Sequence, residues 1–305
     1  MRPRVVLLAG VLVALAACSS SAADGTTASV APAVTTAATT VASTTPAPST
    51  TAVPTTLPAS TVPAATAAPT TVSVTTVPPA TVAPANDFLG EETIGYSVQG
   101  RPIIASHRGT AGGTVILVVG VIHGSEHAGL AILDDLRTMP LLPGIDLWLM
   151  DAINPDGLAN DVRGNGNQVD LNRNFPHDWT QVAQRGDWEY SGTGPASEPE
   201  TQAFIAFAER IQPHLTLWYH QDLHRMSPSN RKDGPLRKRY AELTGLEYLA
   251  VTGGTYTGVA ATWVRRTVPS SMSFIVELGP TLSSDEAAVH AAAVLEISVM
   301  AQSIA

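Results

Sequence analysis

The sequence predicts an α/β domain over residues 86–305, preceded by a non-globular leader. Three observations carry this. Short runs rich in Val, Ile and Leu alternate with amphipathic helical patterns, as strands covered by helices do. Turn and cap signals separate those runs. The 220 residues involved suffice for one domain with its own hydrophobic core.

The leader has two parts. Arg2 and Arg4 precede an apolar run from Val5 to Ala17, which is too short for a bilayer core that needs about 20 residues. Residues 1–17 therefore read as a secretory signal. Cys18 is the only cysteine, and Leu15-Ala16-Ala17-Cys18 resembles the bacterial lipobox, so lipidation of Cys18 is expected. An ordinary signal peptide cut near Ala17 or Ala23 is the alternative. One cysteine excludes an intramolecular disulfide. Residues 18–85 are almost entirely Thr, Ala, Val, Pro and Ser, with Asp24 their single charge. Such a segment lacks the large side chains that offset ordering entropy, so it reads as a disordered, partly polyproline-like linker open to O-glycosylation. At about 3.1 Å per residue it spans roughly 200 Å when extended. These readings place the domain outside the cell, anchored by lipid to the outer face of a bacterial cytoplasmic membrane.

Within the domain the elements follow in order. Thr114 to Gly120 is a continuous β-branched run, hence a buried strand. Helical spacing of Leu130, Leu133 and Leu136 predicts a helix from Glu126 to Met139. Ile145 to Met150 is a second strand, ended by the turn signal Asn154-Pro-Asp-Gly157. Residues 158–197, rich in Gly, Asn and Asp, read as a long excursion over the surface, and loops of that length are commonly functional. Ser197-Glu-Pro-Glu200 reads as a helix start, with Ser197 as N-cap and Glu200 at the capping-box position. That helix runs to about Ile211. Leu215 to Tyr219 is a strand ending at His220, and Leu236 to Leu243 is a helix stopped by Gly245. Ser273 to Leu278 is a strand, and Asp285 to Ser303 is a closing helix.

Charge excludes one class of partner. All but one of the 26 acidic residues lie in the domain, against 17 Lys and Arg in the whole chain. No basic stripe exists, so nucleic acid is not an expected partner. The Arg231-Lys232 to Arg237-Lys238-Arg239 cluster reads as a solvated loop and helix face. The domain is expected to act as a monomer.

The chemistry resides in separated segments. In His123-Gly-Ser-Glu126 an imidazole and a carboxylate leave a buried strand through a tight turn and converge on one point. A catalytic zinc site takes three protein ligands and keeps a position for water. His220, at the lip of another strand, is the candidate third ligand, and His224 is its rival. Glu277 sits inside the apolar run Phe274-Ile-Val-Glu-Leu278, where a carboxylate must be paired, metal-linked or raised in pKa. That environment suits a general base. Arg163, Asn172 and Arg173 in the long loop are suited to holding a carboxylate and stabilising an oxyanion.

Seven segments in order resemble the carboxypeptidase A-type zinc peptidases, and more narrowly the short bacterial murein peptide amidases. They are Ile94-Gly-Tyr-Ser-Val-Gln-Gly-Arg-Pro102, His123-Gly-Ser-Glu126, Asn154-Pro-Asp-Gly157, Asp170-Leu-Asn-Arg-Asn-Phe175, Ser197-Glu-Pro-Glu-Thr201, Tyr219-His220-Gln221 and Val276-Glu277-Leu278. The resemblance implies a mixed, mostly parallel sheet of about eight strands sandwiched by helices. It implies one Zn2+ per chain, held by His123, Glu126 and His220, with Asp170 bonded to the other nitrogen of His123. Arg163 would stabilise the oxyanion, and Asn172 with Arg173 would grip the terminal carboxylate. Glu277 would deprotonate water and protonate the leaving amine. A peptide or muropeptide substrate follows from the same resemblance. Two departures stand out: Ser125 replaces the arginine of digestive members, and Tyr256, the candidate substrate-capping tyrosine, lies only seven residues before Trp263.

Other readings remain open at this level. His123-Gly-Ser-Glu126-His127 also spells the H-x-x-E-H pattern, in which His123 and His127 on one helix bind zinc. Gly124-Ser125 is poor helix sequence and opposes it. An N-acyl amino acid deacylase of the aspartoacylase or succinylglutamate desuccinylase type is a second enzyme class. A cell-wall binding module without catalysis is a third reading.

Overall fold

A computed structural model describes residues 87–254 and 256–304. The expected signal peptide, Cys18 and the 18–85 linker lie outside the described residues. Among the described residues no helix is long and apolar enough to cross a membrane.

Eight strands form one mixed sheet. They are β1 (Phe88–Tyr96), β2 (Pro102–Gly109), β3 (Thr114–Val121), β4 (Ile145–Ala152), β5 (Leu215–Gln221), β6 (Arg225–Met226), β7 (Glu247–Tyr248) and β8 (Met272–Leu278). Their order is β1-β2-β4-β3-β5-β8-β6-β7. The central four strands, β4, β3, β5 and β8, run parallel. The antiparallel β1–β2 hairpin edges β4, and short β6 runs antiparallel to β8. Parallel strands buried on both faces explain the unbroken apolar runs of β3, β4 and β5.

Among the described residues six helices cover the faces: α1 (Gly129–Thr138), α2 (Pro155–Asn160), α3 (Pro199–Ile211), α4 (Gly234–Thr244), α5 (Ala260–Thr267) and α6 (Ser284–Gln302). Alternate residues of each strand divide the core in two. Ile116, Val118, Leu217, Tyr219 and Phe274 pack with α1, α4 and α6. Leu117, Val119 and Trp218 face the other way, against Phe204 and Phe207 of α3, Trp263 of α5, and Phe175. Each such side chain, fully buried, contributes about 1.5–3 kcal/mol of transfer free energy.

The strand order positions the site. From β3 the chain crosses to β4 on one side, and later returns through α3 to β5 on the other side of β3. The crevice beyond the carboxyl ends of β3 and β5 is thus a topological switch point, where ligands bind in open α/β sheets.

Several local expectations are corrected. α1 starts at Gly129 rather than Glu126, because Glu126 turns inward and the Ala128 N–H donates to Gln221 Oε1 at 2.9 Å. Asn154-Pro-Asp-Gly157 starts α2 instead of ending as a turn, with Asn154 Oδ1 accepting from Gly157 N at 2.9 Å. Ser197 is not the N-cap of α3. Glu198 takes that position without a side-chain cap, while Glu200 is buried and accepts from Val98 N and Asn165. The 158–197 segment does not skim the surface. Its residues Val169 to Phe175 are buried beneath the crevice, with Leu171–Arg173 a 3-10 turn. Arg237 is also not solvated: it is buried, and its Nε and Nη2 donate to Asp233 at 2.8 and 2.6 Å. α5, at eight residues, and the two-residue strands β6 and β7 are too short for periodicity to reveal.

Candidate metal centre and active site

Three segments meet at the switch point. His123 follows β3 by two residues, Glu126 closes the turn with its N–H on His123 O at 2.9 Å, and His220 is the penultimate residue of β5. The turn is tight because Gly124 lies against another backbone. A Cβ there would sit 1.9 Å from the carbonyl carbon of Gly157, so the His-Gly-Ser-Glu and Asn-Pro-Asp-Gly segments interlock.

The donor atoms converge. His123 Nδ1 is 2.8 Å from Glu126 Oε1, and His220 Nδ1 is 2.9 Å from Glu126 Oε2. All three ligand atoms lie within 4.8 Å of one another. The far nitrogen of His123, Nε2, is 3.0 Å from the buried Asp170 Oδ1. A proton held there leaves Nδ1 with a lone pair facing Glu126, the arrangement of metal-binding histidines. Two imidazoles and a carboxylate gathered at one point, with Arg163 Nη1 3.1 Å from His123 Nδ1, are a donor set that fits a tetrahedral zinc with one position left over. His127 and His224 stand apart from this cluster. His127 is exposed, 3.7 Å from Asp161, and His224 is exposed as well.

Electrostatics follow from burial and pairing. Burial would raise the Glu126 and Asp170 carboxyls, but the histidines hold Glu126, and His123 with Arg163 and Arg173 hold Asp170, well below the usual carboxylate range. Burial opposes protonation of His123, yet Asp170 and Glu126 outweigh it and its pKa is raised. His220 goes the other way: burial lowers it, and Glu126 compensates only in part.

Glu277 lies beside this cluster. It is the register partner of His220 across the β5–β8 pair, so both side chains leave the same face of the sheet. Burial, then the neighbouring Glu126 charge, push its carboxyl up to about 7. Glu277 and the exposed Tyr256 line one cavity of about 220 Å³.

Arg163 bridges the cluster. Its Nη1 donates to Glu126 Oε1 at 3.0 Å, while Nε and Nη2 fork onto Asp170 Oδ2 at 3.0 and 2.7 Å. Trp188 stacks over the guanidinium with its ring centroid 5.0 Å away. The loop holding Arg163 is anchored by Asn165, whose Nδ2 donates to Glu198 and Glu200 at 2.8 and 2.9 Å. Asn172 is buried under the site: its Oδ1 accepts from Ala260 N at 3.0 Å, and its Nδ2 lies 3.5 Å from His220 Nε2. Its carbonyl oxygen thus ties the loop to α5, while the amide nitrogen abuts the His220 ring. Arg173 donates to the Asn172 carbonyl at 3.0 Å and pairs with Glu189, leaving its buried Nε without a partner among the described residues.

Sequence reasoning missed three participants. Glu189 and Trp188 sit in a loop with no periodicity, and nothing in the chain marks them. Asp156 had a signal in the Asn-Pro-Asp-Gly stretch but no visible partner. The fold brings Ser97 Oγ, Gln99 N and Arg101 Nη1 to its carboxylate at 2.6, 2.9 and 2.7 Å, which fastens the β1–β2 turn beside the site.

Comparison with known proteins agrees with this geometry. A family model described as zinc carboxypeptidase matches residues 86–228. Murein peptide amidase A of Escherichia coli (strain K12) is 31% identical over 211 residues, covering 65% of this chain and 84% of the relative. Carboxypeptidase O of Bos taurus is 33% identical over 99 residues, 27% of this chain and 26% of the relative. Among solved structures, murein-tripeptide amidase from Escherichia coli O157 superposes with a TM-score of 0.55 at 27% identity, covering 70% of this chain and 92% of that one. Carboxypeptidase A from Helicoverpa armigera gives a TM-score of 0.62 at 18% identity, over 71% and 69%, a likeness of fold.

Proposed function

Because this chain belongs to the zinc carboxypeptidase family and is a hydrolase of that type, we propose that it removes a terminal residue from peptidoglycan stem peptides by cleaving the γ-D-glutamyl–diaminopimelate amide. The observation that carries the hydrolytic reading is the convergence of His123 Nδ1, Glu126 and His220 Nδ1 with Glu277 alongside. Those three side chains would hold one zinc ion. Zinc supplies Lewis acidity, acidifying water and polarising a carbonyl oxygen.

The chain's own residues do the rest. Glu277 takes the proton of the attacking water and returns it to the leaving amine, and its raised pKa suits both transfers. Arg163, forked on Asp170 through Nε and Nη2, would turn Nη1 from Glu126 to the carbonyl oxygen where negative charge develops. Arg173 faces the terminal carboxylate, for which Glu189 is the occupant of the guanidinium in the free protein. Tyr256 covers the substrate from the loop above Glu277.

Two lines support peptidoglycan as substrate. The 31%-identical relatives carry the name murein peptide amidase A. The lipobox-like Leu15-Ala16-Ala17-Cys18 and the Thr/Pro-rich linker suit an exported, membrane-anchored protein reaching into the cell wall. Incubating the zinc-loaded full chain with defined muropeptides and with ordinary C-terminal peptides, read by mass spectrometry, tests the reading. Cleavage between glutamate and diaminopimelate is the expected result. Cleavage of ordinary peptides alone overturns the substrate, and no zinc-dependent cleavage of either overturns the peptidase.

A further inference from the structure

The cavity beside Glu277 has a cationic end. Its walls are apolar, with Val251, Val259 and Ile275 among them, but Arg265 and Arg237 also line it. Both guanidiniums reach the Ser273 carbonyl, Arg265 Nη1 at 3.3 Å and Arg237 Nη2 at 3.5 Å. Arg237 is neutralised by its two bonds to Asp233. Arg265 has no carboxylate partner among the described residues: beyond Ser273 it reaches only Thr262 Oγ1, at 3.2 Å, and its Nε is buried with no partner at all. Partial burial, then the like charges of Arg237 and Arg231, press on it further, against the weaker pull of Asp233. A partly buried cation with an unmade hydrogen bond and cationic neighbours is a seat for an anion, since leaving such a donor unmatched is costly.

Position along the strand says which anion. Ser273, Ile275 and Glu277 alternate onto one face of β8. Ser273 precedes Glu277 by four residues, roughly 13 Å at the usual strand rise. The Arg265 guanidinium, bonded at Ser273, therefore lies at the end of the cavity remote from Glu277, with Ile275 between. An aliphatic stem ending in an anion matches that sequence of surroundings.

We propose that Arg265 is the specificity-determining residue of this cavity, recognising a second carboxylate at the end of the side chain of the residue that hydrolysis releases. The assignment rests on hydrolysis occurring at Glu277, and it deepens the substrate reading because diaminopimelate carries such a carboxylate. Lysine has the same stem without it. Short side chains such as that of aspartate fall short of the guanidinium.

The zinc-loaded full chain is assayed on two γ-glutamyl substrates differing only in a terminal diaminopimelate or lysine. The wild type is expected to favour diaminopimelate in kcat/KM by roughly 10- to 100-fold. Arg265→Gln brings that ratio to within about threefold, and Arg265→Glu inverts it. A wild-type ratio near one, or an unchanged ratio in Arg265→Gln, overturns the assignment. α-Linked peptides ending in 2-aminoadipate or norleucine separate this from the peptidoglycan reading. Preference for aminoadipate with no muropeptide cleavage retains Arg265 and removes the cell-wall substrate. Calorimetric binding of free diaminopimelate against lysine reads the cavity without turnover, and equal affinities in the wild type count against it.

Discussion

His220 and Glu277 are register partners on adjacent parallel strands, so a candidate zinc ligand and a candidate base share one face by backbone geometry alone. Neither can shift without moving the β5–β8 pair. Glu277→Gln keeps the shape and removes the proton acceptor, so kcat is expected to fall by about 10³-fold with zinc content unchanged. Rates and metal analysis on the same preparation check it. Retained activity removes Glu277 from the reaction.

The choice of third ligand is testable by metal content. His220→Ala is expected to lose stoichiometric zinc, because its Nδ1 is one of the three converging atoms. His127→Ala, at an exposed position, is expected to retain it. Elemental analysis after dialysis decides, and the opposite pattern restores the H-x-x-E-H reading.

Asp170 orients His123 through a buried 3.0 Å contact to Nε2. Asp170→Asn keeps the size but alters which proton the pair shares and weakens the hold on Arg163. Zinc affinity is expected to drop by about 10- to 100-fold, as for other partners of metal-bound histidines. Competition with a chromogenic chelator measures it.

Gly124→Ala places a Cβ against the Gly157 backbone, which has no room to give. The loss is expected to be about 3 kcal/mol or more, at the severe end for one methyl group. Urea unfolding of the metal-free protein separates this from any effect on zinc.

His290 gives a stability term with a definite pH window. It is buried on α6 with Nδ1 2.7 Å from Tyr240 Oη, which in turn lies 3.0 Å from Tyr219 Oη. Burial lowers its pKa to about 4, against the opposing pull of Glu286 and with help from His224. The unfolded chain, with His290 at about 6.5, then binds more protons than the folded one between pH 6.5 and 4. Stability therefore falls as pH drops through that window, by about 3 kcal/mol at most. His290→Gln is expected to flatten this part of the urea-midpoint profile, and an unchanged slope assigns it to other groups.

The parallel strands were legible because burial on both faces writes a continuous apolar run, as in Thr114 to Val121. The helix starts were less so. Ser197 and Glu200 have the residue types of a capping box, yet Glu200 is drawn to Asn165 and Val98, partners 35 and 102 residues away. Glu126 fits a helical pattern but is pulled into the site by two histidines, one of them 94 residues distant. In each case a long-range ion or hydrogen bond outweighed a local preference worth about 1 kcal/mol.

By itself the sequence determined the fold class, the positions of the chief strands and the chemical types of the site: two histidines, two carboxylates, a long loop carrying Arg163 and Arg173. These follow from short-range periodicity and from the cost of placing ionisable groups in apolar runs. Tertiary structure decided that His220 rather than His127 completes the cluster, that Arg163 bridges Glu126 and Asp170, and that Arg265, at the end of the Glu277 cavity, meets no carboxylate among the described residues. Those facts depend on strand order and register, which set distances between residues that no local pattern connects.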